Sequence, residues 1–385
     1  MPYFGNQADT IFDSVGSTSN PAVINASSIN NGQIGGRRNL IINGAMTTWQ
    51  RSTSLAGVTE TDGYQTADRF QFWTYSGGTY TLSKSTTAPS GFGSSYKVLN
   101  TSTTSTVAGT GVSFRQRIEA QDLQQLSYGS SGAKTLTLSF WVRSDTTGVY
   151  ALLVYSQDGS RMLGTTYTIS NADTWEKKTI TIVGDIDGTI NDDNGIGLEL
   201  FWWLAAGTDF TSTATTGSWE VYVSTKSAYG QTAELNTGGE WYITGIQLEV
   251  GSVATEFENR SYGEELALCQ RYYHRITNTS ALYGRIGAGR VFSATLGSFT
   301  YHLPVPMRNS ATLETTGTAG NYAIGYSGTT SLCTALPYVY AYTTVGTGSN
   351  TASVIATSTG LTVGQGAEFL FNNTANLYLG FDAEL

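Results

Sequence analysis

Apolar and polar residues alternate with a period of two along most of the chain, which is the pattern of half-buried β-strands. Three stretches show it most clearly, and their shared apolar faces hold Leu136, Leu138, Phe140 and Val142; Leu198, Leu200, Trp202 and Leu204; and Ile246, Leu248 and Val250. Turn sequences such as TYSGGTY and NTGGE separate the strands. Many short strands without helices between them predict an antiparallel sandwich or jelly roll.

The alternation divides the chain into segments. Residues 37–260 contain all 8 tryptophans and predict one large antiparallel jelly-roll domain. Residues 277–385 lack tryptophan, are rich in tyrosine and predict a second, smaller β-sandwich domain. Residues 1–36 are polar and carry no strand pattern, so we expect an extended N-terminal arm. The fold class predicted is therefore all-β, in two domains.

One charged segment, residues 261–276, differs from its surroundings and predicts a connector helix of about three turns. Ser261 and Glu264 form an S-x-x-E capping box, which satisfies free backbone donors at a helix start. Tyr262, Leu266, Cys269 and Tyr273 follow at the spacing of one helical stripe. Because so short a helix is marginal alone, we expect this stripe to dock on a domain or on partner chains.

The arm carries isoleucines at every fifth residue: Ile24, Ile29 and Ile34. A single chain cannot bury side chains at this spacing, whereas three chains wound around an axis can. We therefore expect homotrimer contacts at these isoleucines and at Leu266, Cys269 and Tyr273. A disordered arm is the alternative.

Composition excludes several classes of protein. Charged residues make up 13% of the chain, the net charge is −9, and no stripe of Lys and Arg is present, which argues against nucleic-acid binding. No apolar run is long enough to insert in a membrane, and the first residues do not resemble a signal peptide. We expect a soluble protein made in a cytoplasm.

Catalytic signatures are missing from the sequence. His274 and His302 have no second histidine or cysteine at metal-ligand spacing, which argues against zinc and against a Ser-His-Asp site. Cys269 and Cys333 are far apart and are expected to be free thiols. No nucleotide-binding loop or nucleophile elbow occurs. We expect no enzymatic activity and no required cofactor.

The most acidic loop, GDIDGTINDDNG, contains four aspartates: Asp185, Asp187, Asp192 and Asp193. Carboxylates at this density could hold Ca²⁺, which takes six to eight oxygen ligands. The pattern is not an EF-hand, since Ile190 and Ile196 occupy the positions of its glycine and its last glutamate. A solvated loop is the alternative.

The chain resembles a group of bacteriophage virion proteins, tail fibres or receptor-binding proteins whose jelly-roll domain is similar to carbohydrate-binding modules. The stretches that carry the resemblance are RNLIINGAMTTWQR, YQTADRFQFW, GDIDGTINDDNGIGLELFWWLAAG and ITGIQLEVGSVATEFENRSYGEELALCQRYYHRI. It implies a homotrimeric fibre, exposed on the phage tail, that holds a host surface polysaccharide and attaches to other tail proteins through its arm. By analogy with such modules, a structural calcium stays open.

Aromatic side chains are the candidates for glycan contact. Trp203 and Phe201 lie on the strand face opposite Trp202, where they form either a sugar platform or an interface between identical subunits. Tyr338, Tyr340 and Tyr342 share one strand face in the second domain and are the alternative platform. A structural head fibre or tail adaptor is the runner-up function. A glycan depolymerase is less favoured, since no β-helix repeat is present.

Overall fold

The computed structural model describes residues 28–29, 32–33, 37–102, 106–339 and 350–385. Within them the chain is all-β, as predicted, with antiparallel sheets and short helices only. A small hairpin, β1 (Ser28–Ile29) and β2 (Gly32–Gln33), precedes the first domain. No helix in the described part of the chain is long and apolar enough to cross a membrane.

The first domain is a sandwich of two antiparallel sheets. One has seven strands, in the spatial order β14 (Trp219–Val221), β11 (Arg161–Ile169), β10 (Gly148–Ser156), β13 (Ile196–Ala206), β8 (Gly111–Glu119), β5 (Phe70–Tyr75) and β4 (Thr61–Tyr64). The other has six, in the order β12 (Glu176–Ile182), β9 (Leu136–Ser144), β15 (Glu240–Val250), β7 (Ser95–Ser102), β6 (Thr79–Ser85) and β3 (Ser54–Val58). Short 3₁₀ turns span Ala120–Leu126 and Ser224–Lys226.

The core lies between these sheets and confirms the alternation read from the sequence. Phe114 of β8 packs within this core. Its ring centroid lies 6.0 Å from that of Trp202 on the neighbouring strand β13 and 5.7 Å from that of Trp241 on the opposite sheet. The predicted apolar faces of β9 and β13 are completely buried there. Burying rings of this size contributes several kcal/mol each, at roughly 25 cal/mol per Å².

The second domain also pairs two antiparallel sheets. The smaller sheet has the order β16 (Tyr273–Asn278), β25 (Leu377–Asp382) and β19 (Thr312–Thr315). The larger has the order β21 (Thr329–Leu332), β20 (Tyr322–Tyr326), β24 (Gly366–Phe371), β17 (Gly284–Val291), β18 (Leu296–His302), β23 (Thr351–Thr357) and β22 (Ala335–Val339). A 3₁₀ turn spans Ala319–Asn321. Phe299, Phe369 and Leu379 are among the residues of its core.

A short helix, α1 (Tyr262–Gln270), connects the domains and begins at the predicted capping box. The Glu264 amide donates to Ser261 Oγ at 3.3 Å, and the Ser261 amide donates back to Glu264 Oε2 at 3.2 Å. The helix is shorter than predicted, because the chain after Arg271 enters strand β16. Arg271 instead makes a bidentate ion pair with the buried Glu119, with both distances 2.9 Å.

Two stacked cation–tyrosine pairs join the domains. Arg51 lies 3.6 Å from the ring centroid of Tyr273, and Arg69 lies 3.4 Å from that of Tyr272. The same arginines pair with acidic residues at the end of strand β25 and just after it: Arg51 with Asp382 at 2.8 Å, and both with Glu384. We call Arg51, Arg69, Tyr272, Tyr273, Asp382 and Glu384 the junction.

The junction changes the expectation for trimer contacts. Cys269 and Tyr273 are fully buried within the chain itself, because they pack against the first domain, and so they do not form a surface for other subunits. Leu266 is partly exposed on α1, and its trimer contact stays a prediction. Ile24 and Ile34 lie outside the described residues, and only the backbone of Ile29 is described, in β1. Cys269 and Cys333 are both free, as expected.

Candidate functional site

An aromatic groove lies on the outer face of the six-stranded sheet. Trp141 of β9 and Thr244 of β15 are cross-strand neighbours on this face, and Lys177 of β12 is opposite Trp141 on its other side. The groove has a volume of about 250 Å³. It is lined by Ser90, Gly91, Phe92, Ser139, Trp141, Lys177, Gly245, Glu256, Phe257 and Asn259. We call it the Trp141 groove.

Gly245 allows the groove to form. It sits in an irregularity of the β15 ladder with a φ of 63°, a left-handed conformation that favours glycine. A Cβ placed there would lie 2.6 Å from the ring of Phe92 and 3.0 Å from Trp141 Cδ1. Phe92 and Phe257 meet edge to face with centroids 5.0 Å apart and form one wall. The indole of Trp141 is half-buried, so its position is set by its neighbours.

Two oppositely charged side chains of the groove are free to meet a ligand. Lys177 and Glu256 are exposed, and in the described part of the chain neither makes an ion pair or a side-chain hydrogen bond. A depression that combines aromatic walls with a few convergent polar groups is a candidate small-ligand or saccharide site. The apolar C–H face of a sugar ring can lie on the indole while its hydroxyls reach the charged groups.

A second aromatic row continues the same face, and its charges are paired internally. Tyr242 lies 4.9 Å from the Arg143 guanidinium and 6.2 Å, ring to ring, from Trp175. Lys97 contacts Glu240 at 2.5 Å. Burial opposes ionisation of Glu240, but hydrogen bonds from Lys97 and Tyr242 outweigh it and hold the pKa of this carboxyl below its usual value. These paired charges fix the side chains next to the groove, where Tyr242 is buried and meets Trp175 edge to face.

The structure corrects the predicted platform on β13. Trp203 and Phe201 are only 2% and 6% exposed, because the chain's own segment 207–228 folds over them. Phe210 of that segment lies 5.3 Å from Trp203, centroid to centroid. The two rings are therefore neither an open sugar platform nor an intersubunit surface in this conformation.

The four aspartates of the acidic loop do not converge. Asp185 is 1% exposed, and both of its oxygens accept from Arg161 Nε, at 2.9 and 2.7 Å. Asp193 accepts from the Gly195 amide at 2.7 Å, while Asp187 and Asp192 are exposed. No cluster of three or more His, Cys, Asp or Glu side chains that could hold a metal occurs in the residues that the structure describes. The predicted calcium site is not formed, because arginine already neutralises its best-buried carboxylate.

The tyrosine platform of the second domain is described in part. Tyr338 is exposed on strand β22, as a recognition residue would be, while Tyr340 and Tyr342 lie outside the described residues.

Sequence reasoning missed Trp141. The available signal was its position in SFWVRS, where a tryptophan takes the polar side of the alternation between Ser139 and Arg143.

Comparison with known proteins gives partial likenesses only. No protein-family model matches the chain, and no curated protein matches it. Among solved structures, the enzymatically active domain of tailspike protein 4 of bacteriophage CBA120 is 11% identical with a TM-score of 0.28. That match covers 55% of this chain and 21% of the tailspike chain, so this chain spans about a fifth of that length.

Two carbohydrate-binding modules are similar to a comparable extent. The family 11 module from Clostridium thermocellum, solved with a β-1,3-1,4-mixed-linked tetrasaccharide, is 13% identical with a TM-score of 0.27 over 53% of this chain and 99% of its own. TmCBM61, solved with β-1,4-galactotriose, is 10% identical with a TM-score of 0.27 over 56% of this chain and 99% of its own. Likenesses this slight assign no function, and the function is argued from the chain's own residues.

Proposed function

We propose that this protein is a homotrimeric bacteriophage tail fibre that holds a glycan of the host surface in the Trp141 groove without transforming it. The observation that carries the proposal is the groove itself, where a half-buried indole adjoins the unpaired Lys177 and Glu256. The phage and trimer parts rest on the sequence resemblance of four stretches and on the isoleucine spacing of the arm.

Binding without reaction is supported by the charges of the groove. Glu256 is the one carboxylate among the described residues that line it. Glycoside hydrolysis by the usual route takes two carboxyl groups, about 5–9.5 Å apart. A single groove of this size would hold a sugar weakly. Three copies on one fibre multiply such an affinity by roughly 10²–10⁴ through effective concentration.

Two matched aromatic substitutions test the proposal. We expect full-length Trp141→Ala to lose at least about ten-fold in retention on immobilised host polysaccharide, while its circular-dichroism spectrum stays that of the folded protein. Tyr338→Ala, an exposed aromatic in the other domain, should bind like the wild type. Binding kept by Trp141→Ala and lost by Tyr338→Ala would overturn the groove assignment. Light scattering gives the mass in solution, and a stable single subunit would overturn the trimer.

A further inference from the structure

One arginine on the seven-stranded sheet is buried without matching acceptors. Arg115 of β8 faces away from the core, and its side chain is 10% exposed. Its Nε donates to Ser113 Oγ at 2.7 Å. The nearest carboxylate oxygens, on Glu199 and Asp62, are 3.9 and 4.0 Å from Nη1, beyond hydrogen-bonding distance. In the described chain, the four N–H groups on Nη1 and Nη2 therefore have no acceptor.

Burying a guanidinium without hydrogen-bond acceptors lowers the stability of the fold unless a ligand supplies the acceptors. Burial lowers the pKa of Arg115 to about 10 despite both carboxylates, so the charge is incompletely compensated. The Nη1 and Nη2 atoms are not among the described polar atoms that are sealed off without a partner, so they reach the surface. A ligand from solvent can therefore meet these donors.

The surroundings of Arg115 supply aromatic surface and unpaired acceptors. Its guanidinium carbon lies 4.6 Å from the ring centroid of the half-buried Trp73 and 4.4 Å from that of the buried Phe201, so only Trp73 of these two rings can also contact a ligand. The Asp62 side chain is 55% exposed and accepts no hydrogen bond within the described chain.

The local charge selects the class of ligand. The positive charges of Arg115 and Arg117 equal in number the negative charges of Glu199 and Asp62, although only Arg117 is in close contact, 3.1 Å from Glu199. An anionic ligand would leave an excess negative charge in a partly buried place, which is unfavourable. A sugar hydroxyl is both donor and acceptor, so two adjacent hydroxyls can accept from the guanidinium and donate to the Asp62 carboxylate at no cost in charge.

We propose that Arg115, Asp62 and Trp73 form a second site, for a neutral saccharide with vicinal hydroxyls, on the sheet opposite the Trp141 groove. The guanidinium and the carboxylate hold the hydroxyl pair, and the half-buried indole of Trp73 supports the C–H face. The site rests on the proposed function only in that both concern glycans, since no residue is shared. Two sites on opposite sheets let one subunit contact two polysaccharide strands.

Saturation-transfer NMR on the full-length Trp141→Ala protein tests this site with the groove disabled. The probes are the neutral disaccharides maltose, cellobiose and lactose, with glucuronate and acetate as anionic probes. We expect transfer to at least one neutral disaccharide, and an affinity about ten-fold weaker when Asp62→Asn or Arg115→Lys is added. Asp62→Asn is the cleaner variant, because Asp62 is exposed and makes no hydrogen bond that the fold needs.

The possible outcomes distinguish binding at the second site from binding in the Trp141 groove. Transfer that survives Trp141→Ala and is lost with Asp62→Asn supports the second site, whatever the groove binds. Transfer that Trp141→Ala alone abolishes overturns the second site and leaves the proposed function standing. No transfer at up to about 100 mM disaccharide, or stronger Arg115-dependent transfer to glucuronate or acetate, overturns the neutral-saccharide assignment.

Discussion

Replacing Glu384 with glutamine tests whether the junction holds the two domains together. One Glu384 oxygen lies 3.3 Å from Arg51 Nη1, and the other pairs with Arg69. Arg51 keeps a second partner, since Asp382 is 2.8 Å away. Arg69 is 1% exposed and has no other carboxylate within ion-pair distance in the described chain. The substitution therefore leaves one buried guanidinium without its counter-ion.

The expected cost follows from that uncompensated charge. Removing one partner of a buried ion pair destabilises a protein by about 3–5 kcal/mol. The Tyr272 ring stays 3.4 Å from Arg69 and glutamine keeps an acceptor oxygen, so we expect the lower end, about 3 kcal/mol. The loss should appear first as separation of the domains, because the contacts of each core are untouched.

Urea unfolding of the full chain measures the loss. Tryptophan fluorescence reports the first domain alone, since all 8 tryptophans lie there, and circular dichroism reports both domains. Glu384→Gln should lower the midpoint and separate the two signals. The control is Glu368→Gln, whose ion pair with Arg285 is exposed and should be worth less than about 1 kcal/mol. A loss in Glu384→Gln no larger than in this control would refute the reasoning.

Three other predictions concern separate features. Burial lowers the pKa of His274 to about 4, against about 6.5 when unfolded, so the unfolded chain takes up the proton first as the pH falls. Between pH 6.5 and 4 the free energy of unfolding of the wild type should therefore fall by about 3 kcal/mol more than that of His274→Gln. Urea unfolding of both proteins at each pH measures this difference. Ser261→Ala removes the cap of α1 and should cost about 1 kcal/mol in thermal or urea unfolding. Because Arg161 already neutralises Asp185, calcium or a chelator should leave the melting temperature unchanged, whereas Arg161→Met should lower stability by about 3 kcal/mol.

Each of these three predictions would be refuted by a particular result. Parallel pH curves for His274→Gln and the wild type would show that this imidazole is solvated. A melting temperature that rises with calcium and falls with chelator would restore the metal site. Equal stability of Ser261→Ala and the wild type would mean that packing, and not the cap, sets the start of α1.

Local patterns in the sequence were sufficient to predict the strands and the first residue of the helix. Leu138 alternates with the polar neighbours Thr137 and Ser139, and a period of two can be read from adjacent residues alone. The S-x-x-E box at Ser261 is equally local. Both predictions are confirmed, because the interactions that decide them lie within a few residues of each other.

Long-range partners decided the features that sequence reasoning missed. The helix ends at Gln270 because the chain then enters β16, and Arg271 between them pairs with Glu119, which is 152 residues away. Trp203 was read as a surface residue because its strand is apolar on both faces, whereas segment 207–228 covers the second face. The site at Arg115 has no signal in the sequence. Its guanidinium N–H groups lack acceptors because of the side chains on the neighbouring strands, which are distant in the sequence.

The junction also links the completion of folding to the order of synthesis. Arg51 and Arg69 are made early, whereas the carboxylate of Glu384 that neutralises them follows 333 and 315 residues later. While the nascent chain grows, the jelly roll therefore presents a pair of unmatched cations where the second domain will dock. A product truncated before the last strand would therefore keep that cationic patch exposed to solvent.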